Sequence, residues 1–166
     1  QARARLAAEL GLDEKQTWVL VAMGGMEFRL PVERWPTIPG VVWYAARMDV
    51  TRDDVRAFDA IAGGLPFTEL LGACDVVLTK PGYGTFVEAA CHGVPVLYMP
   101  RDDWPEEAPM VAWVEQHGRI RSVSRSALLA GDLAQPLTEL LAQPTRSVPA
   151  PVGIGEAADF MAALLC

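Results

Sequence analysis

Lysine is almost missing from this chain. Of its 14 basic residues only Lys15 and Lys80 are lysines, and against 21 acidic residues the formal charge is −7. The arginines gather into no basic stripe, which excludes a nucleic-acid-binding surface. Histidine is equally scarce, with His92 and His117 alone, and the three cysteines, Cys74, Cys91 and Cys166, have no ligand-like spacing. No zinc set can be assembled from these residues, and no metal or resident cofactor is expected. Cys74 and Cys91 sit among apolar neighbours and read as small core residues of a cytoplasmic protein. Signal-peptide patterning and long apolar runs are lacking too, so the chain is not expected to span a membrane itself.

What is present is apolar sequence in short blocks. A chain of 166 residues with 51% hydrophobic residues can bury one sizeable core, so residues 1–166 are expected to form one domain. The first residue is Gln1 rather than Met, and a piece of a larger protein is expected. Ala2 to Leu10 reads as a helix stopped by Gly11. Thr17 to Met23 and Val41 to Ala46 are β-branched, uninterrupted runs that read as buried strands, and Asp54 to Phe58 is a weaker third. Pro66 to Cys74 opens with Pro and reads as a short helix. A strand "DVVLT", a Gly-rich turn, a helix from Thr85 to His92 and a strand "VPVLYMP" follow. A helix from about Glu106 to His117, a short strand "RIRSV" and helices at Leu133–Leu141 and Glu156–Leu165 complete the pattern.

Near-continuous apolar strands alternating with helices predict an α/β fold: a three-layer, Rossmann-like, doubly wound parallel sheet covered on both faces. Such sheets bind ligands beyond the carboxyl ends of their strands. The loops after Met23, Phe58, Thr79 and Pro100 are therefore the expected functional edge.

On that edge lies Lys80-Pro81-Gly82-Tyr83-Gly84-Thr85. It is neither a Walker loop nor a GxGxxG fingerprint. It is a Gly-rich passage from strand to helix, where free N–H groups and the positive end of the helix dipole suit an anion such as a diphosphate. Gly82 and Gly84 would allow close backbone approach, and Thr85 can cap the helix or donate its hydroxyl to a phosphate. A plain strand-to-helix turn is the competing reading. Helical spacing puts Phe86, Val87, Ala90 and Cys91 on an apolar face and Thr85, Glu88 and His92 on the other side. Glu88 is then one turn below the anion position, where a carboxylate can accept two hydrogen bonds from a ribose diol; a solvated helix carboxylate is the alternative. Gly24-Gly25 offers a second close backbone approach or a simple strand end. The run "RDDWPEE" concentrates acid on the same edge, although Pro105, Glu106 and Glu107 also suit a helix start.

The block from Asp75 to Pro100 resembles the C-terminal, donor-binding half of two-domain GT-B glycosyltransferases, in particular the lipid II N-acetylglucosaminyltransferase. It is also similar to the glycosyltransferase-like part fused to some sugar kinases. The likeness rests on Gly82, Thr85, Glu88, Gly93, Pro95 and Pro100 in unbroken spacing. It implies a single half of a GT-B fold whose N-terminal acceptor domain is missing. It implies that Glu88 binds the ribose, that the turn from Gly82 through Tyr83 and Gly84 to Thr85 meets the diphosphate, and that Lys80 adds charge there. Gly24 and Gly25 would line the cleft, Phe67 and Thr68 would flank the base, and Glu106 and Glu107 would face the donor sugar. Family members often carry Asp-Gln or Gln-Gln where this chain has Glu106-Glu107. The implied activity is metal-independent glycosyl transfer from a nucleoside diphosphate sugar, with UDP as the expected nucleotide. The general base would come from the acceptor half, so the isolated piece is expected to be inactive. The alternatives are a non-catalytic nucleotide-sugar sensor and a hydrolysing or epimerising relative on the same fold.

Overall fold

Runs such as "TWVLVA" and "VVLT" have no polar face, so a strand made from them is stable only with cover on both sides. The structure, a computed structural model, describes residues 2–11, 13–24, 30–46, 52–58 and 65–165. Among them six strands form one all-parallel sheet: β1 (Thr17–Ala22), β2 (Val41–Ala46), β3 (Val55–Phe58), β4 (Val76–Thr79), β5 (Val96–Tyr98) and β6 (Ile120–Ser122). Their order is β3-β2-β1-β4-β5-β6, with Val19 in register with Trp43 on one side and with Val76 on the other. The helices are α1 (Ala2–Leu10), α2 (Phe67–Ala73), α3 (Tyr83–His92), α4 (Glu107–His117), α5 (Arg125–Ala130), α6 (Ala134–Leu141) and α7 (Gly153–Leu164).

Strand alternation sends side chains to two separate cores. Trp18 and Leu20 of β1 and Val77 of β4 pack with residues of α1, α2, α3 and α4. Val19, Val21, Val76 and Leu78 pack on the opposite face with the β1–β2 crossover and with Leu128, Leu133, Leu137 and Leu140 of the α5–α6 region. Burying each such aliphatic side chain contributes about 1.5–3 kcal/mol, which is why both layers are obligatory for this sheet.

The second layer holds a helix that the sequence pattern does not predict. Helix α5 has no strong apolar period in its six residues; it forms because Ser124 caps it, its Oγ accepting from the Ala127 N–H at 3.1 Å, and because Gly131 closes it in the left-handed region. Among its described residues the β1–β2 crossover contains a 3-10 turn, Val32–Arg34. Arg52 holds that crossover down. Its Nη1 donates to the carbonyls of Trp35 (2.6 Å) and Val32 (3.1 Å), while Nε and Nη2 grip Asp54 at 2.9 and 2.6 Å. Burial alone would raise the Asp54 carboxyl, but the Arg52 hydrogen bond and charge bring it below its ordinary value.

At the end of α5 the crossover passes so close that a Cβ on Gly131 would lie 2.7 Å from both Trp35 and Pro36, at a φ of +77°. Gly40 has the same φ of +77° with nothing within 4 Å. The pair separates backbone strain from crowding. Gly40→Ala is expected to cost about 1–2 kcal/mol from the left-handed conformation alone. Gly131→Ala is expected to cost a further ~1–3 kcal/mol, because the buried Trp35 must shift. Denaturant midpoints of the two variants measure the difference.

Candidate functional site

The order β3-β2-β1-β4-β5-β6 reverses direction between β1 and β4. After β1 the chain runs to Leu30, Val32 and Trp35 on one face; after β4 it runs into Phe86 and Ala89 of α3 on the other. Two connections leaving neighbouring strands for opposite faces cannot fill the gap between them, and a crevice opens at the strands' carboxyl ends. Gly24 and Lys80 stand at its two sides. Gly24 has a φ of +64°, and the Lys80 side chain lies against it, with Cε 3.6 Å and Nζ 3.8 Å from where a Gly24 Cβ would sit. Lys80 thus lies along the crevice rather than out in solvent, and no carboxylate pairs with it among the described residues. Gly25 lies outside the described residues.

Helix α3 begins two residues earlier than the sequence pattern suggests. Its N-cap is Gly82, in extended backbone, and no side chain caps it. Thr85 is therefore the third helical residue rather than the cap: the Gly-Tyr-Gly start lets the backbone enter the helix before any hydroxyl is available. The first bond of the helix is Phe86 N–H to Gly82 O at 3.1 Å. The N–H groups of Tyr83, Gly84 and Thr85 have no acceptor among the described residues. They are the orphan donors of a helix start, with the dipole's positive end behind them.

The buried face of α3 is Phe86, Ala89 and Ala90. This corrects the expected Phe86-Val87-Ala90-Cys91 face: Val87 is 40% exposed and Cys91 only half-buried. The helix is rotated because it packs against α2 as well as the sheet, where a Cβ on Gly72 would meet the His92 ring at 2.9 Å. Thr85 and Glu88, three residues apart, are both half-buried on the side that does not face the core, and the Glu88 carboxylate has no hydrogen-bond or ionic partner among the described residues. His92 spends Nδ1 on the Glu88 carbonyl at 2.8 Å and closes the helix end. Phe67 and Thr68 open α2 at the same edge of the sheet, both half-buried, with Phe67 packed against the α1–α4 core.

The loop from Arg101 to Glu106 forms the far wall. Glu107 accepts the Arg101 N–H at 2.7 Å, so one of its oxygens holds the loop in place; Glu106 is the N-cap residue of α4. Two contacts were not legible in the sequence. Tyr83 and Trp104 meet edge to face at 5.8 Å, and the Arg101 guanidinium lies 5.5 Å from the Trp104 ring centre. They join the first residue of α3 to the acidic loop, giving an exposed aromatic corner with carboxylates around it. Elsewhere, burial first and the Asp75 charge second push the Cys74 thiol up to about 12, which removes it as a nucleophile. Among the described residues no group of His, Cys, Asp and Glu is placed to hold a metal, and no helix is long and apolar enough to cross a membrane.

Neither a known protein-family model nor a curated protein sequence matches the chain. Solved structures do. The glycosyltransferase of kitacinnamycin is 22% identical over 79% of this chain and 36% of its own, with a TM-score of 0.58. The fold is that of one half of a GT-B structure. Spinosyn rhamnosyltransferase SpnG, complexed with thymidine diphosphate, is 19% identical over 78% of this chain and 38% of its own, with a TM-score of 0.57. Arabidopsis thaliana UGT89C1, complexed with UDP, is 20% identical over 83% of this chain and 38% of its own, with a TM-score of 0.52. The chain thus spans well under half the length of these structures.

Within it, the Glu106 carboxylate raises the Tyr83 hydroxyl above its ordinary 10.0, first by hydrogen bonding, with slight desolvation and charge adding to it. Glu106→Gln removes the charge that opposes the phenolate. The Tyr83 pKa should then fall back toward 10.0, read from tyrosine ring carbon shifts in an NMR titration.

Proposed function

We propose that this domain binds a nucleoside diphosphate sugar, with UDP as its nucleotide, and is the donor half of a glycosyltransferase. One observation carries the proposal: the uncapped start of α3, with three N–H groups that have no acceptor among the described residues, opens beside Lys80, which has no carboxylate partner among them, at the β1/β4 crevice. Fixed dipoles and one cation, with no carboxylate among the described residues paired to them, are suited to a diphosphate. Tyr83, Gly84 and Thr85 would donate backbone N–H bonds to it, Thr85 would add its hydroxyl, and Gly24 would let the chain pass close behind. Glu88, whose carboxylate has no partner among the described residues, would accept both ribose hydroxyls. Phe67 and Thr68 would border the base, and Glu106, Glu107 and the Tyr83–Trp104 corner would face the sugar. That UDP and thymidine diphosphate occur in complexes of similar folds supports a nucleoside diphosphate ligand for this fold.

In the reaction so assigned, an acceptor hydroxyl attacks the anomeric carbon and the bond to the diphosphate breaks. Negative charge grows on the departing phosphate oxygens, where the α3 N–H groups and Lys80 are already oriented, so little reorganisation is required in the transition state. They supply the positive charge without a divalent cation. The base that takes the acceptor proton belongs to an acceptor half. A surface for such a half is at hand: α7 is exposed throughout its described side chains, with Ile154, Phe160, Met161 and Leu164 turned to solvent, an apolar area that a packed partner domain would cover.

Calorimetric titration of the purified domain with UDP checks the proposal. Saturable binding is expected, and Glu88→Ala should weaken it by about 1–3 kcal/mol, the range for hydrogen bonds to a charged group. Heat of dilution alone at millimolar UDP would overturn the assignment, and unchanged affinity in the Glu88 variant would remove Glu88 from the ribose.

A further inference from the structure

Thr79 is the one buried polar side chain among the described residues that carries neither charge nor ring, at 1% exposure in a strand otherwise made of Val76, Val77 and Leu78. A valine would satisfy the strand and the core equally well, so the hydroxyl has to be accounted for. Its Oγ lies 2.7 Å from the Ala22 carbonyl and 3.1 Å from the carbonyl of Lys80. With one proton it donates to Ala22, the shorter contact. Ala22 is its register partner and the last residue of β1. The Thr79 carbonyl in turn accepts the Met99 N–H at 3.0 Å, beyond the end of β5.

These bonds sit where the parallel ladder must stop. One residue beyond Thr79 the chain turns toward α3, and two residues beyond Ala22 it turns at Gly24 toward the opposite face. The backbone ladder pairs the two strands as far as Ala22 and Thr79, and at that last pair the Thr79 side chain adds a bond of its own. Resting on the nucleotide assignment made above, we propose that Thr79 is the positioning residue of the anion site. Its hydroxyl ties the end of β4 to the end of β1 and so holds Lys80 across Gly24 at the mouth of the crevice. Thr79 does not touch the ligand. It acts by fixing where the Lys80 side chain leaves the sheet.

A double-mutant cycle reads that role directly. UDP affinity is measured by calorimetry for the wild type, Thr79→Val, Lys80→Met and the double variant, well below each melting temperature. Thr79→Val keeps the shape of the side chain and removes the donor. It should weaken UDP binding by about fivefold, the fold-change that corresponds to one ordinary hydrogen bond. Lys80→Met should weaken it in the wild-type background by about tenfold, the scale of a charge-assisted bond, and by less than about twofold once Thr79 is Val. Thr79→Ser, which restores the donor, should recover most of the affinity. A residue serving packing alone would lower the melting temperature and leave the cycle additive, and additive losses overturn the inference. So does unchanged UDP affinity in Thr79→Val. If the Val variant does not fold, Thr79→Cys, whose thiol is a poor donor, takes its place in the same cycle. Absence of UDP binding in the wild type overturns the nucleotide assignment and this inference together; wild-type binding with an additive cycle overturns this inference alone.

Discussion

The pairing of β1 with β4 is the constraint on which the rest of the structure depends. Parallel strands cannot be joined by a tight turn, so each must leave the sheet through a long connection over one face or the other. Because these two neighbours leave over opposite faces, the sheet acquires two cores and, at their carboxyl ends, a crevice that neither connection can fill. Everything of chemical interest lies along that gap or on the loops around it: Gly24, Lys80, the start of α3, the start of α2, and the loop ahead of α4.

The two faces are held by different means. On one, α1 to α4 lay conventional apolar helix faces on the sheet. On the other, the described part of the β1–β2 crossover holds only a 3-10 turn, and the Arg52 guanidinium ties its carbonyls to Asp54 while Gly131 lets Trp35 and Pro36 come in close. A charged side chain bonded to several backbone acceptors takes the place of a helix's internal hydrogen bonds, which satisfies the accounting for buried polar groups by another route. Opposite Lys80, Gly24 brings the backbone at the end of β1 against the Lys80 side chain.

Most of the strands and helices were legible because their signals are local. The apolar runs at Thr17, Val41 and Val76, the αL glycines at Gly11 and Gly93, and Pro66 before α2 each speak for a few residues of chain. Elements whose cause lies elsewhere were not legible. Helix α5 depends on a Ser124 cap and a closure beside Trp35, and the buried face of α3 is set by the packing of His92 on Gly72. That rotation left Val87 exposed, although its spacing had placed it in the core. Among the site residues, the stretch from Lys80 to Glu88 was visible as a Gly-rich strand-to-helix passage. The Tyr83–Trp104 corner and the Thr79–Ala22 bond were not, because each joins segments more than 20 residues apart.

By itself the amino-acid sequence determined the class of fold, since strands without a polar side force a covered parallel sheet, and that class places ligands at one edge. It also determined which chemistry is available there, through a single lysine, a run of glycines and one well-spaced carboxylate. Only the tertiary structure decided that the helix starts at Tyr83 with its N–H groups uncapped, that Thr85 is inside it, and that Lys80 lies over Gly24. Those facts follow from the opposed departures of β1 and β4. That opposition is a property of strand order, and no local stretch of sequence records it.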